Sequence, residues 1–159
     1  MNREILFKAK PKDWKDNPNK NRWIKGFYCN KQETTHCFKE DYEHFPVKTQ
    51  HYIIQDCVID WGLPNEFRFI EIDPDTLCRF TGVYDKNNKK VWENDIVVVD
   101  EDVKNAFNVS DGKVEYYGGS FFVGDNLSLL GTLSAIIDTD YVLRGEVVGN
   151  VVDNPKSVG

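Results

Sequence analysis

Asp95-Ile96-Val97-Val98-Val99-Asp100, followed after an acidic connection by Gly112-Lys113-Val114-Glu115-Tyr116-Tyr117-Gly118-Gly119-Ser120-Phe121-Phe122-Val123, is the stretch that decides the fold. The first run is almost wholly β-branched and is closed at each end by aspartate, which reads as a strand. The second holds two β-prone runs joined by adjacent glycines, which supply the positive φ angles of a tight hairpin turn. Residues 101–111 between them read as an acidic loop. Downstream, residues 127–137 carry apolar side chains at Leu127, Leu130, Leu133, Ile136 and Ile137, one stripe of a short helix weakened by Gly131. Tyr141-Val142-Leu143 and Glu146-Val147-Val148-Gly149-Asn150-Val151-Val152 read as strand and stop at Asn154-Pro155.

Upstream, Thr81-Gly82-Val83-Tyr84 and Val91-Trp92 flank a hairpin whose tip falls at Asn87-Asn88, since asparagine tolerates left-handed φ. Glu66-Phe67-Arg68-Phe69-Ile70-Glu71-Ile72 alternates so that each face holds apolar side chains. That pattern predicts a strand covered on both sides, inside a sheet. Asp73-Pro74-Asp75-Thr76 ends it, with an aspartate placed to cap the turn. His51-Tyr52-Ile53-Ile54-Gln55 is a further strand. Residues 3–9 and Trp23-Ile24-Lys25-Gly26-Phe27-Tyr28-Cys29 make an N-terminal strand pair across the turn-rich residues 10–21. Residues 30–50 are polar and without helical period, and read as irregular. Short strands with glycine turns imply a mainly β chain (a β-rich α+β fold): an SH3-like small barrel over 73–159, an N-terminal β-rich annex over 1–72 and one short helix, packed as one compact unit.

The 159 residues, 40% hydrophobic and 13% aromatic, suffice for such a core without metal or disulfide staples. No apolar stretch reaches the roughly 20 residues of a membrane helix, and the N-terminus lacks a signal-peptide pattern, so a cytoplasmic location is expected. Cys29, Cys37, Cys57 and Cys78 form no Cys-x-x-Cys pair, which points to free, mostly buried thiols in a reducing compartment. His36-Cys37 with Cys29 and Cys57 is a poor match to zinc spacing.

Three blocks of the chain resemble one family. They are the opening Arg3-Glu4-Ile5-Leu6-Phe7-Lys8-Ala9, the middle from Ile72-Asp73-Pro74-Asp75-Thr76 through Phe80-Thr81-Gly82-Val83-Tyr84 to Asp95-Ile96-Val97, and the ending Glu146-Val147-Val148-Gly149-Asn150-Val151-Val152-Asp153-Asn154-Pro155. In their order they resemble YopX-like proteins. Asn94 stands where that family usually has glycine, a substitution the turn tolerates if asparagine takes left-handed φ. The resemblance implies a phage or prophage protein of a bacterial host, with no catalytic residues to carry over. Self-assembly into a homo-oligomer follows as an expectation.

The remaining chemistry is sparse. Asp73/Asp75 and Glu93/Asp95 could serve a metal-dependent hydrolase, but each pair flanks a turn or strand end, where aspartate caps backbone. A calcium loop from Asp85 fails, with Lys90 in place of the required glycine and Ile96 in place of the bidentate glutamate. His36, His44 and His51 lie in or beside the irregular segment, two of them not far in sequence from a cysteine, but without a glycine-framed nucleophile. Gly112, Gly118, Gly119 and Gly124 precede no Gly-Lys-Ser/Thr and form no phosphate loop.

Charge offers one binding candidate. Residues 1–25 carry eight Lys/Arg against three Asp/Glu, whereas the rest carries twelve against twenty-three. The acidic body disfavours nucleic acid. Lys10, Lys12, Trp14, Lys15, Lys20 and Trp23 nonetheless have the composition that neutralises phosphates and stacks bases. The leading expectation is a non-enzymatic binding or assembly module that uses no cofactor or metal, contacts a phage or host protein, and does not engage membrane. Nucleic-acid or host-regulator binding through the basic segment is the alternative.

Overall fold

The structure, a computed structural model, describes residues 5–58, 60–61, 65–124 and 142–155. The chain is mainly β, as the alternation predicted, and divides into two compact units, one of Leu6–Leu77 and one running from Cys78 onward.

The first unit is an antiparallel meander. Strands β1 (Phe7–Ala9), β2 (Ile24–Gln32), β3 (Thr49–Cys57) and β4 (Glu66–Glu71) lie side by side in chain order. The pairing of Phe7 with Gly26 and Ala9 with Ile24 is the predicted N-terminal hairpin. One face buries Ala9, Ile24, Ile53 and Ile72, with Phe7, Tyr28, Ile70 and Leu77 packed against them. Asp73 caps a single 3₁₀ turn over Pro74–Thr76, its carboxylate accepting the Asp75 N–H at 3.2 Å.

Two expectations fail in this unit. Residues 30–50 are not irregular. Strand β2 runs on to Gln32, paired residue by residue with β3 through Gln32 and Thr49, and helix α1 covers Lys39–His44. Polar side chains on an exposed strand give no alternation to read, so the pairing was invisible until its partner was known. Strand β4 is not an interior strand either. It closes the sheet on its outer side, with Phe67 67% and Phe69 60% exposed.

The second unit contains β5 (Cys78–Asp85), β6 (Lys90–Trp92), β7 (Asp95–Val99), α2 (Glu101–Phe107), β8 (Gly112–Tyr117), β9 (Ser120–Val123), β10 (Val142–Leu143) and β11 (Gly145–Asn150). Strand β5 pairs antiparallel with β6 and parallel with β10, and an antiparallel sheet runs β11-β7-β8-β9. Val83 and Val91 from the first set share one core with Val97, Val99, Val114, Phe121 and Val123 from the second. The β8–β9 hairpin turns at Gly118 and Gly119, both at positive φ, as read from the sequence.

The acidic connection is not a loop. Residues Glu101–Phe107 form helix α2, which drops Val103 into the core and ends at Asn108 in the left-handed region. Glu101 and Asp102 in its first turn complement the helix dipole. The stripe over 127–137 lies outside the described residues, so both described helices sit where none was expected.

Candidate functional site

The basic N-terminal stretch folds onto its own carboxylates. Lys12 Nζ meets Glu71 at 2.6 Å, Lys15 Nζ meets Asp73 at 3.5 Å, and Lys20 Nζ meets Asp13 at 2.7 Å. The hydrogen bond to Glu71 raises the Lys12 ammonium above its ordinary range, and the bond from Lys20 holds the Asp13 carboxyl below its own. Lys10 is buried, and its Nζ donates to Asn21 Oδ1 at 2.7 Å. The tryptophans are occupied as well. Lys8 and Lys10 place their ammonium groups 4.6 and 4.7 Å from the Trp23 ring centre, and Trp14 donates its indole N–H to Asp73 at 3.0 Å.

All six predicted residues therefore belong to one neighbourhood, in which Lys10 is buried and the exposed Lys12, Lys15 and Lys20 each lie beside a carboxylate. Backbone pairing explains the arrangement. Asp73 N–H donates to the Lys10 carbonyl and Lys12 N–H donates to that of Glu71, which brings the lysines beside the acidic end of β4. A phosphate would have to displace Glu71, Asp73 or Asp13 to reach Lys12, Lys15 or Lys20. Such exposed pairs are individually weak, so displacement is possible at modest cost, but the described residues form no ready-made cationic groove.

One carboxylate of each acid pair, Asp73 and Asp95, holds backbone and side-chain donors. Asp73 caps its turn and holds Trp14. Asp95, 2% exposed, accepts the Trp92 N–H at 2.9 Å and the Asn150 side-chain amide at 2.7 Å. Asp85 accepts the N–H groups of Asn87 and Lys89 on one oxygen and that of Val147 on the other. Each carboxylate ties a turn to a neighbouring segment, which the capping argument anticipated. Among the described residues, no three His, Cys, Asp or Glu side chains gather in a metal-holding group. Of the four free cysteines only Cys78 is buried, while Cys37 is exposed and Cys29 and Cys57 are intermediate, so the expectation of mostly buried thiols is corrected.

The surface that sequence reading missed lies on the solvent side of the β2-β3-β4 sheet. Phe27 pairs across to Ile54, and Ile54 to Phe69, so these three side chains form a row on one face. Phe67 is two positions from Phe69 and shares that face. Phe27, Phe67 and Phe69 are each more than half exposed, and Tyr52 meets Phe69 edge-on at 6.4 Å between ring centres. The β3–β4 connection adds Val58 and Trp61, exposed at 76% and 99%. Three phenyl rings so exposed present on the order of 350 Å² of apolar surface, within the size range of functional patches. Two aromatics at i and i+2 in β4 were the available signal. It was misread because Ile70 and Ile72 made the opposite face apolar too.

The patch carries no cationic bias. Lys25 and Lys31 lie on this face of β2, Asp56 on that of β3 and Glu71 on that of β4. Acidic and basic groups nearly cancel there, and Glu71 is itself paired with Lys12.

Comparison with known families matches residues 8–158 to the family model described as YopX protein. Comparison with curated proteins gives no match. No described helix is long and apolar enough to cross a membrane.

Proposed function

The chain belongs to the YopX protein family, and from that premise we propose that it is a non-enzymatic accessory protein of a phage or prophage, acting in the bacterial cytoplasm as a binding and assembly module that forms homo-oligomers. The observation that carries this reading is the exposed aromatic face of the β2-β3-β4 sheet, with Phe27, Phe67 and Phe69 together on one side. An apolar, nearly charge-balanced surface of this kind gains most by excluding water against another protein. The second unit, whose two sheets wrap one valine-rich core, serves in this reading as a small SH3-like barrel scaffold.

Binding of nucleic acid or a host regulator through Lys10, Lys12, Trp14, Lys15, Lys20 and Trp23 ranks below it. Three of those lysines already face carboxylates, and the other groups hold each other. Light scattering at micromolar concentration tests the leading reading. A mass that is a multiple of 18.4 kDa supports it, and a strict monomer overturns it.

A further inference from the structure

Which part of the β2-β3-β4 surface meets a partner, and which partner, follows from the hydrogen-bonding pattern of β4. In an antiparallel pair, residues alternate between those whose N–H and C=O face the neighbouring strand and those whose groups face away. Ile72 N–H donates to the His51 carbonyl at 2.9 Å, which fixes the phase of that alternation. Ile70, Arg68 and Glu66 then bond toward β3, opposite Ile53, Gln55 and Cys57. Glu71, Phe69 and Phe67 direct their backbone groups outward. The outward carbonyl of Glu71 is taken by the Lys12 N–H at 3.1 Å. Among the described residues no strand pairs with the outer side of β4 at Phe67 and Phe69, and these are also the two residues of β4 whose rings stand exposed.

An open edge is a template for another strand, and charged residues on it decide which strand fits. On the other face of β4, Glu66 and Arg68 are two positions apart, exposed and opposite in sign. A strand with that spacing is complementary to itself in one antiparallel register. We propose that β4 pairs with β4 of a second copy about a two-fold axis at Phe67, so that Arg68 of each chain faces the partner's Glu66 and the two Phe67 rings meet on the opposite face.

The rival registers are worse on stated grounds. An axis at Arg68 sets the two guanidinium groups directly opposite each other, where like charges repel. An axis at Phe69 requires the Glu71 carbonyl, which Lys12 already occupies. The chosen register joins two sheets into one across the dimer, an isologous contact in which each edge closes the other. This inference rests on the assembly reading above and specifies its surface.

The test uses the full chain in sedimentation equilibrium over the micromolar range, with circular dichroism to confirm the fold of each variant. Wild type is expected to show a monomer–dimer equilibrium. Arg68→Glu and Glu66→Arg should each weaken the dimer by about tenfold or more, because each sets like charges against each other twice. The double variant exchanges the two charges, keeps the complementarity and should dimerise as wild type does. An equimolar mixture of the two single variants should also form a heterodimer. A dimer indifferent to both single reversals would overturn edge pairing while leaving assembly through another surface standing. Weakening without rescue in the double variant would overturn the register. A wild-type monomer throughout would overturn the pairing and the assembly reading together.

Discussion

Asn94 shows how one residue can keep a turn that its type would not be chosen for. It sits at φ 64° immediately before β7, with its N–H donating to Val114 and its carbonyl accepting from Val151. Left-handed backbone costs a β-branched residue about 1–2 kcal/mol and glycine almost nothing, with asparagine between them. Asn94→Gly should therefore be neutral or stabilising by up to about 1 kcal/mol, while Asn94→Val should cost about 1–2 kcal/mol. Urea denaturation midpoints at constant slope would check both, and a tolerated valine would refute the strain argument. Asp13 illustrates a charge effect at the same scale. Lys20 holds its carboxyl below the ordinary range, so the unfolded chain binds the proton more readily than the folded one. The contribution of the pair to stability is then complete above the ordinary carboxylate range and lost as pH falls through the folded value. Lys20→Gln should move the Asp13 titration upward in carboxyl NMR and flatten the acid limb of the melting curve.

Strands are legible from sequence where the signal is local, and illegible where a distant partner makes them. The turns at Asn87-Asn88 and Gly118-Gly119 carried their own φ requirement, and Asn88, Gly118 and Gly119 adopt positive φ. The polar half of the β2–β3 hairpin carried none. Asn30, Lys31 and Gln32 become strand because His51, Gln50 and Thr49 lie beside them. Helix α2 was hidden for another reason. Its seven residues contribute a single buried side chain, Val103, too few for a helical period to show. Pairing at close quarters also explains a glycine that no turn requires. Gly26 lies within β2, and a Cβ added there would run into the Ile54 carbonyl oxygen and reach 3.0 Å from Ile53 Cγ2. Gly26→Ala should thus cost about 1–3 kcal/mol, the range for overpacking, through separation of β2 from β3. Faster amide exchange confined to those two strands would identify the cause. An unchanged melting temperature would show that the sheet shifts freely.

Across the whole molecule, composition misleads about which surface is available. The first 25 residues hold a surplus of positive charge, and the remainder a surplus of negative. Among the described residues, folding sets three of those cations, Lys12, Lys15 and Lys20, against Glu71, Asp73 and Asp13. The sequence showed which residues would cluster, but not that the acidic end of β4 would lie among them. The opposite happened to the phenylalanines. Phe67 and Phe69 read as residues of a covered interior strand and instead stand, with Phe27, on the outside of the first unit's sheet. Since each ring is already more than half in water, its removal takes little from the folded monomer, within about 0.5 kcal/mol per site for a surface position. The same removal would take the Phe67 ring contact from the proposed dimer and the apolar face from any association through this sheet. The triple variant Phe27→Ser, Phe67→Ser, Phe69→Ser should therefore keep a melting transition close to wild type when dilute, yet lose association in light scattering at micromolar concentration. A variant that unfolds would place these rings in the core after all. One that folds and still assembles would move the contact surface off this sheet.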